Sequence, residues 1–362
     1  VAEPTPSRQT LLLQTAPDGS PSAALTQAAA LLRAGELVAF PTETVYGLGA
    51  DATNAEAVRA IFSAKERPYS DPLIVHIPDA EQLPLVAATI PGTAWQLAAQ
   101  FWPGPLTLVL PRASGIPALV AAGGPTVGVR VPSHPVAQAL LREAGIPVAA
   151  PSANRFMHTS PTTAQHVLAD LDGRIAAILD GGPCTVGVES TVLDLTTNPP
   201  RVLRPGGVTL EALRTVLPQV GGPPAPAAIA KSSDEPAHAP GQMERHYAPQ
   251  TPLVVFEAQG PEALASIRRA AIQAMGRGER IGALLPDEEA GALADLHLVI
   301  ARLGPVDDLA EISRRLYAAL RTLDEQGLDL ILTHTFGREG LGLALEDRLR
   351  RAAGGALRHW QS

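Results

Sequence analysis

SAKERPYSDPLIVHI, Ser63 to Ile77, sets two cations, a proline and a strand-like apolar run side by side in one short stretch. Proline pushes the residue before it out of the helical region, and in an extended segment residues two apart project to one side. Lys65 and Arg67 are therefore expected to point the same way, just ahead of a buried strand over Leu73–Ile77. The chain has two lysines, Lys65 and Lys231, among its 28 lysines and arginines, so a lysine two places before an arginine is not what background composition supplies. An ammonium beside a planar guanidinium suits an oxyanion carrying several phosphates. The alternative is a solvated pair of surface charges.

At 362 residues the chain exceeds the usual size of one core, and two domains are expected. A hydrophobic content of 46% with 18% charged residues fits an ordinary soluble globular protein. No apolar run approaches the roughly 18–20 residues of a membrane span, and VAEPTPSRQT at the start has no signal-peptide core. With the single cysteine Cys184 there is no internal disulfide, and neither a CxxC pair nor HExxH offers a protein metal site. A reducing cytoplasm is the expected location. The nine histidines lack ligand spacing and read as surface or hydrogen-bonded residues. A net charge of −8 argues against a broad, sequence-independent grip on nucleic acid, so any polyanion site has to be a local basic pocket.

The clearest boundary lies between Gly221 and Pro249, where proline, alanine and serine replace any hydrophobic period, as in a linker. This predicts domains at 1–220 and 251–362 joined by 221–250. Before the linker, strand-like runs such as Leu37–Phe40, Leu73–Ile77, Leu106–Leu110, Val127–Val131, Pro147–Ala150 and Thr191–Leu195 alternate with helical stretches, an α/β or α+β mixture with a substantial sheet. After it, strands at Leu253–Phe256, Ile281–Leu285, Leu296–Ile300 and Leu330–Thr333 interleave with helices, which implies crossovers and a mainly parallel sheet. No glycine fingerprint follows those strands, so this domain reads as accessory.

Four further motifs bear polar groups. PTETVYGLGADA, Pro41–Ala52, follows a strand with a glycine-containing turn and offers Thr42, Thr44 and Tyr46 to a ligand, or is a structural turn. APSANRFMHTSPTTA, Ala150–Ala164, places Ser152 and Asn154 two apart and then Ser160 or Thr162 where each could cap the next helix and leave an anion site at its N-terminus. DGGPCTVGVESTVLDL, Asp180–Leu195, runs from a glycine-rich turn into a strand with Ser190 near its start, and RPGGVT then sets Arg204 beside a tight turn.

Taken in order, these motifs with FWPGPLTLVL between them resemble the YrdC/Sua5 family, and the proline-rich linker ending in APGQMERHYAP with the α/β tail resembles its longer Sua5 form. The resemblance implies a twisted, largely parallel or mixed YrdC-like sheet around a deep concave cavity, followed by a smaller Rossmann-like parallel α/β domain. It implies an L-threonylcarbamoyladenylate synthase, a nucleotidyltransferase that joins L-threonine, bicarbonate or CO2 and ATP into threonylcarbamoyl-AMP and pyrophosphate. That product feeds a downstream tRNA-threonylcarbamoyl transferase machinery. ATP is a substrate and Mg2+ an expected companion, with no membrane and no strong direct nucleic-acid binding.

Carried over by position, the threonine pocket would use Thr44, His76, Arg130, the backbone of Ala150, and Ser190. The ATP side would use Lys65, Arg67, Asp71, Thr126, Ser152, Asn154, Ser160 and Arg204, with Lys65 and Arg67 as the catalytic cations and Tyr247 as part of a lid over the nucleotide. Two features depart from the family's pattern: Phe156 and Met157 stand where small residues often follow SAN, and Gln242 precedes Met243 after the PG of the linker. The rival readings are an RNA-binding or ribosome-maturation module and a carbamoyladenylate-forming metallocentre assembly factor. Relatives of the latter kind carry cysteine-pair zinc motifs, whereas this chain has one cysteine.

Overall fold

The computed structural model describes residues 9–223, 245–355, 357 and 358. They divide into two compact units: the first takes most of 9–223, and the second takes 245–358 together with Met157–Thr159 and Val186–Val188. Most of the stretch read as a linker, 224–244, lies outside the described residues.

The first unit is built on ten strands: β1 (Leu11–Gln14), β2 (Val38–Phe40), β3 (Gly47–Asp51), β4 (Ile74–His76), β5 (Leu106–Pro111), β6 (Thr126–Arg130), β7 (Val148–Ala149), β8 (Ala177–Asp180), β9 (Thr191–Asp194) and β10 (Arg201–Arg204). They form one sheet in the order β1-β8-β2-β3-β7-β4-β6-β5-β9-β10. The sheet is mixed. β1 and β2 run parallel to β8, β4 to β6 and β5 to β9, while the remaining neighbours are antiparallel. Helices Ala55–Lys65 and Ala164–Leu171 contribute Val58, Ile61, Phe62, Val167 and Leu171 to a core shared with Leu48, Val75, Leu108 and Val129. Helices Ala23–Arg33 and Pro135–Ala144 form a second core with Phe40, Val148 and Leu179.

Three features of the sheet and its helices depart from the sequence reading. GLGAD, read as part of a turn, is strand β3. It lacks the β-branched residues that mark strands, and its glycines serve close approach instead: a Cβ on Gly49 would lie 2.9 Å from the Phe40 ring and 3.0 Å from Val148 Cγ1. Lys65 is not in an extended segment but is the last residue of a helix, which ends at Glu66 in the left-handed region with φ 58°. The cap of the helix after the SxN loop is Thr163, neither Ser160 nor Thr162; Thr163 is extended, and its hydroxyl accepts from His166 N at 3.3 Å.

The second unit holds β11 (Leu253–Phe256), β12 (Ile281–Leu285), β13 (Val299–Arg302) and β14 (Leu330–His334) in a parallel sheet ordered β11-β14-β12-β13. Long helices Gly260–Met275, Leu309–Asp324 and Gly342–Ala352 accompany it. The strand expected over Leu296–Ile300 starts later, at Val299, because Gly291–Leu296 is a 3-10 turn and His297 takes φ 51°. No described helix is long and apolar enough to cross a membrane.

Thr163→Ala removes the hydroxyl that satisfies an otherwise orphaned helix N–H, and urea denaturation should show a loss of about 1 kcal/mol. Unchanged stability would mean that the cap contributes nothing.

Candidate active site

Strand direction alone gathers one polar edge in the first unit. β4 and β6 are parallel and pair His76 with Arg130 at their C-terminal ends. β5 runs antiparallel to β6, so it begins where β6 ends. β9 is parallel to β5 and begins at the same edge just after Ser190, and antiparallel β10 ends there with Arg204 opposite Val192. His76, Arg130, Thr107, Ser190 and Arg204 thus lie along neighbouring strand ends.

Arg130 is held on three sides. Its Nε donates to Gly104 O at 3.3 Å, one terminal nitrogen donates to Thr44 Oγ1 at 2.9 Å, and the other lies 2.7 Å from Glu43 Oε1 in an ion pair of two buried side chains. Glu43 Oε2 in turn accepts from Ser133 N at 3.1 Å. Hydrogen-bond direction is fixed around Thr44. Thr42 spends its hydroxyl proton on Val45 O at 2.6 Å, so in the 2.8 Å contact between the two threonines Thr44 donates and Thr42 accepts. Thr44 Oγ1 therefore receives from Arg130, gives its proton to Thr42, and has an acceptor lone pair left for a ligand N–H.

His76 is buried and its Nδ1 has no protein partner. Burial, reinforced by the neighbouring Arg130 charge, pushes its pKa down to about 3, so the ring is neutral at ordinary pH. Arg204 donates to Ser190 O at 2.9 Å and to Ser190 Oγ at 3.2 Å, and that hydroxyl also meets Thr107 Oγ1 at 2.8 Å. The RPGG turn explains the placement: a Cβ on Gly206 would sit 2.3 Å from Glu189 O and 2.4 Å from Ser190 C, so the turn packs on this backbone only as glycine.

Lys65, the sequence's first anchor, is 1% exposed and gives Nζ protons to Ser152 O and Asn154 O, each at 2.5 Å. Burial, and after it the Arg67 charge, hold its pKa well below the ordinary lysine range. The two cations are therefore electrostatic neighbours, although by way of a left-handed cap and not strand alternation. Arg67 is tied to Asp71 O at 3.1 Å, Pro72 O at 2.7 Å and the Asp71 carboxylate at 3.0 Å. Ser160 donates to the buried Glu189 carboxylate at 2.7 Å.

Not every expected residue joins these groups. Thr126 opens β6 opposite Pro111, at the far end of the strand from Arg130. Ala150 has its N–H spent on Ile74 O at 2.8 Å, which leaves its carbonyl. The Asn154 amide donates to Arg155 O at 2.8 Å. Tyr247 is described with the second unit; it has φ 60°, is fully buried, and its ring lies 5.9 Å from that of Tyr317 and 5.0 Å from the Arg348 guanidinium carbon. Sequence reasoning missed Glu43, Thr107 and Glu189 as partners of the expected residues. Among the described residues no cluster of three or more His, Cys, Asp or Glu is placed to hold a metal ion.

A family model described as "Telomere recombination", which covers Sua5, YciO and YrdC proteins, matches residues 30–206, and one described as "Threonylcarbamoyl-AMP synthase, C-terminal domain" matches 208–354. The chain is 45% identical over 334 residues to a threonylcarbamoyl-AMP synthase of Bacillus subtilis, spanning 92% of this chain and 94% of that protein. It is 45% identical over 327 residues to one of Pyrococcus abyssi, spanning 90% and 93%. Among solved structures, it is similar to the crystal structure of P. abyssi Sua5 complexed with L-threonine, with a TM-score of 0.89 and 41% identity over 97% of this chain and 99% of that one.

The depressed His76 pKa fixes the sign of a pH effect. An unfolded histidine takes up a proton below about 6.5 whereas the folded one does so only near 3, so the unfolded state binds more protons in that window and stability falls as pH drops through it. Chemical denaturation at several pH values should show wild type losing up to about 1.4 kcal/mol more per pH unit than His76→Asn. Parallel profiles would show that His76 protonates freely in the fold.

Proposed function

The chain belongs to the threonylcarbamoyl-AMP synthase family of YrdC/Sua5 type, and from that premise we propose that its first unit joins L-threonine, bicarbonate or CO2 and ATP into threonylcarbamoyl-AMP and pyrophosphate. The product is the activated donor for threonylcarbamoyladenosine in tRNA, to be consumed by a downstream transferase. The observation that carries this reading is Arg130, a buried guanidinium aimed by three protein oxygens at an edge where Thr44, His76 and Ser190 gather.

A guanidinium has five N–H groups, and those three oxygens engage at most three of them. The rest suit a substrate carboxylate, which guanidinium matches bidentately. The α-amino group then falls to the acceptor side of Thr44. A free α-amine has a pKa near 7.7–8.0, and nearby cations lower it, so a neutral fraction exists to add to CO2. The amine's N–C bond forms as a proton leaves, the new carbamate oxygen attacks the α-phosphorus, and the bond to the β-phosphate oxygen breaks to release pyrophosphate. No protein nucleophile is needed. Cys184, the chain's single thiol, is buried with its pKa pushed up by burial and by Glu43, which supports its exclusion from chemistry.

Lys65, Arg67 and Arg204 are assigned to the triphosphate. Lys65 has a third N–H beyond the two given to carbonyls, and a bound triphosphate supplies the opposing charge that favours its protonated form. Ser160, whose proton goes to Glu189, is left to accept. Mg2+ enters as part of the ATP substrate, held by phosphate oxygens. Carbamates decompose in water, so solvent exclusion matters, and Tyr247 keeps the lid assignment that the resemblance gives it. The cytoplasm is the proposed location.

Incubation with ATP, labelled bicarbonate and each of threonine, serine and glycine, followed by chromatography, should yield a labelled carbamoyl-adenylate with threonine. Lys65→Ala should cut pyrophosphate release by orders of magnitude, since a cation removed from a desolvated phosphate site costs several kcal/mol. Wild-type rates in that variant would remove Lys65 from the triphosphate.

A further inference from the structure

Glu43 is a charged group at this edge to which the proposed chemistry gives no task. It is a carboxylate 4% exposed, set between two threonines of the PTET segment, and it is immobilised from three directions. Oε1 faces the Arg130 terminal nitrogen at 2.7 Å, Oε2 accepts from Ser133 N at 3.1 Å, and its own carbonyl accepts from Thr185 N at 3.1 Å. Burying such an acid is costly unless its charge is matched. It also takes up capacity of the very guanidinium that a carboxylate substrate needs.

We infer that Glu43 makes the Arg130 site selective for a zwitterion: it fixes the guanidinium and cancels its charge, so that a ligand carboxylate gains full binding only when it brings its own ammonium or amine. This rests on reading the edge as an L-threonine site. A lone buried arginine attracts any carboxylate and prefers ligands of net charge −1. Paired with Glu43 it presents directed donors within a neutral group, and the acceptor lone pair on Thr44 Oγ1 meets the ligand nitrogen. Three titratable groups that feel the pair's charges add none of their own. His76 and His134 are held neutral, mainly by burial, and the Cys184 thiol is kept protonated by burial. Glu43 is thus a positioning and specificity residue that acts through Arg130.

The test compares L-threonine with 3-hydroxybutyrate, the same skeleton without the amine, on the full chain. Threonine KM is read from pyrophosphate release, and 3-hydroxybutyrate is measured as a competitive inhibitor. In wild type threonine is strongly preferred. Glu43→Gln, which keeps the shape and loses the charge, should raise threonine KM by about tenfold or more with a smaller change in kcat, while 3-hydroxybutyrate inhibits as well as before or better. Glu43→Asp, which keeps the charge, should retain most of the wild-type preference, and it decides the matter alone if the Gln variant does not fold. Equal weakening of both ligands in Glu43→Gln, an unchanged KM, or loss of preference in Glu43→Asp overturns the inference. Absence of any adenylate from the wild-type protein overturns the functional reading instead, and the inference with it.

Discussion

Cations taken out of water need oxygen partners whose positions the backbone has already fixed, and the first unit meets that demand in the same way four times. Lys65 is held by the carbonyls of Ser152 and Asn154, Arg67 by those of Asp71 and Pro72, Arg130 by that of Gly104, and Arg204 by that of Ser190. Carbonyls orient a cation without matching its charge. Where a full carboxylate is added, at Asp71 and Glu43, the cation becomes a directed donor with its charge largely matched.

This constraint also explains why the motifs are scattered along the chain. Lys65 reaches carbonyls almost ninety residues further on, and Arg130 reaches Thr44 from a strand far downstream. Each tie closes a long loop, whose entropic cost grows only slowly with length, and a mixed sheet brings strand ends of opposite direction to one edge. An all-parallel sheet would put only C-terminal strand ends at that edge. Here the starts of β5 and β9 supply Thr107 and Ser190 beside the ends that supply Arg130 and Arg204.

The sequence revealed the pieces of this arrangement better than their joints. Runs such as Leu106–Leu110 and Val127–Val131 were legible because leucine and valine recur at least at every second position, the period of a strand. GLGAD was not, because its glycines answer to the Phe40 ring and to Val148, two neighbours that no local pattern announces. Lys65 and Arg67 were expected to share one side of an extended segment; proline acts on Arg67, but Glu66 accepts a left-handed conformation and lets the helix run to Lys65. Thr44 and Arg130 were placed in the threonine pocket by resemblance, whereas Glu43 between them was passed over. A single acid flanked by threonines has no periodicity, and its meaning arises only from a guanidinium more than eighty residues away.

Polarity, more than proximity, decides what such a site can bind. Thr42 commits its proton to Val45 O, which turns the threonine pair into a one-way relay that starts at Arg130. Thr44 is therefore an acceptor toward any ligand and Arg130 a donor. An α-amino acid has the complementary order, an acceptor carboxylate next to a donor nitrogen. Reversal of a single hydroxyl in the relay would give two donors side by side and suit an anion of any kind. The backbone carbonyl of Val45 thus sets the chemical sense of the pocket without touching what it binds, and a turn that a sequence presents as mere connection becomes the element that defines the ligand.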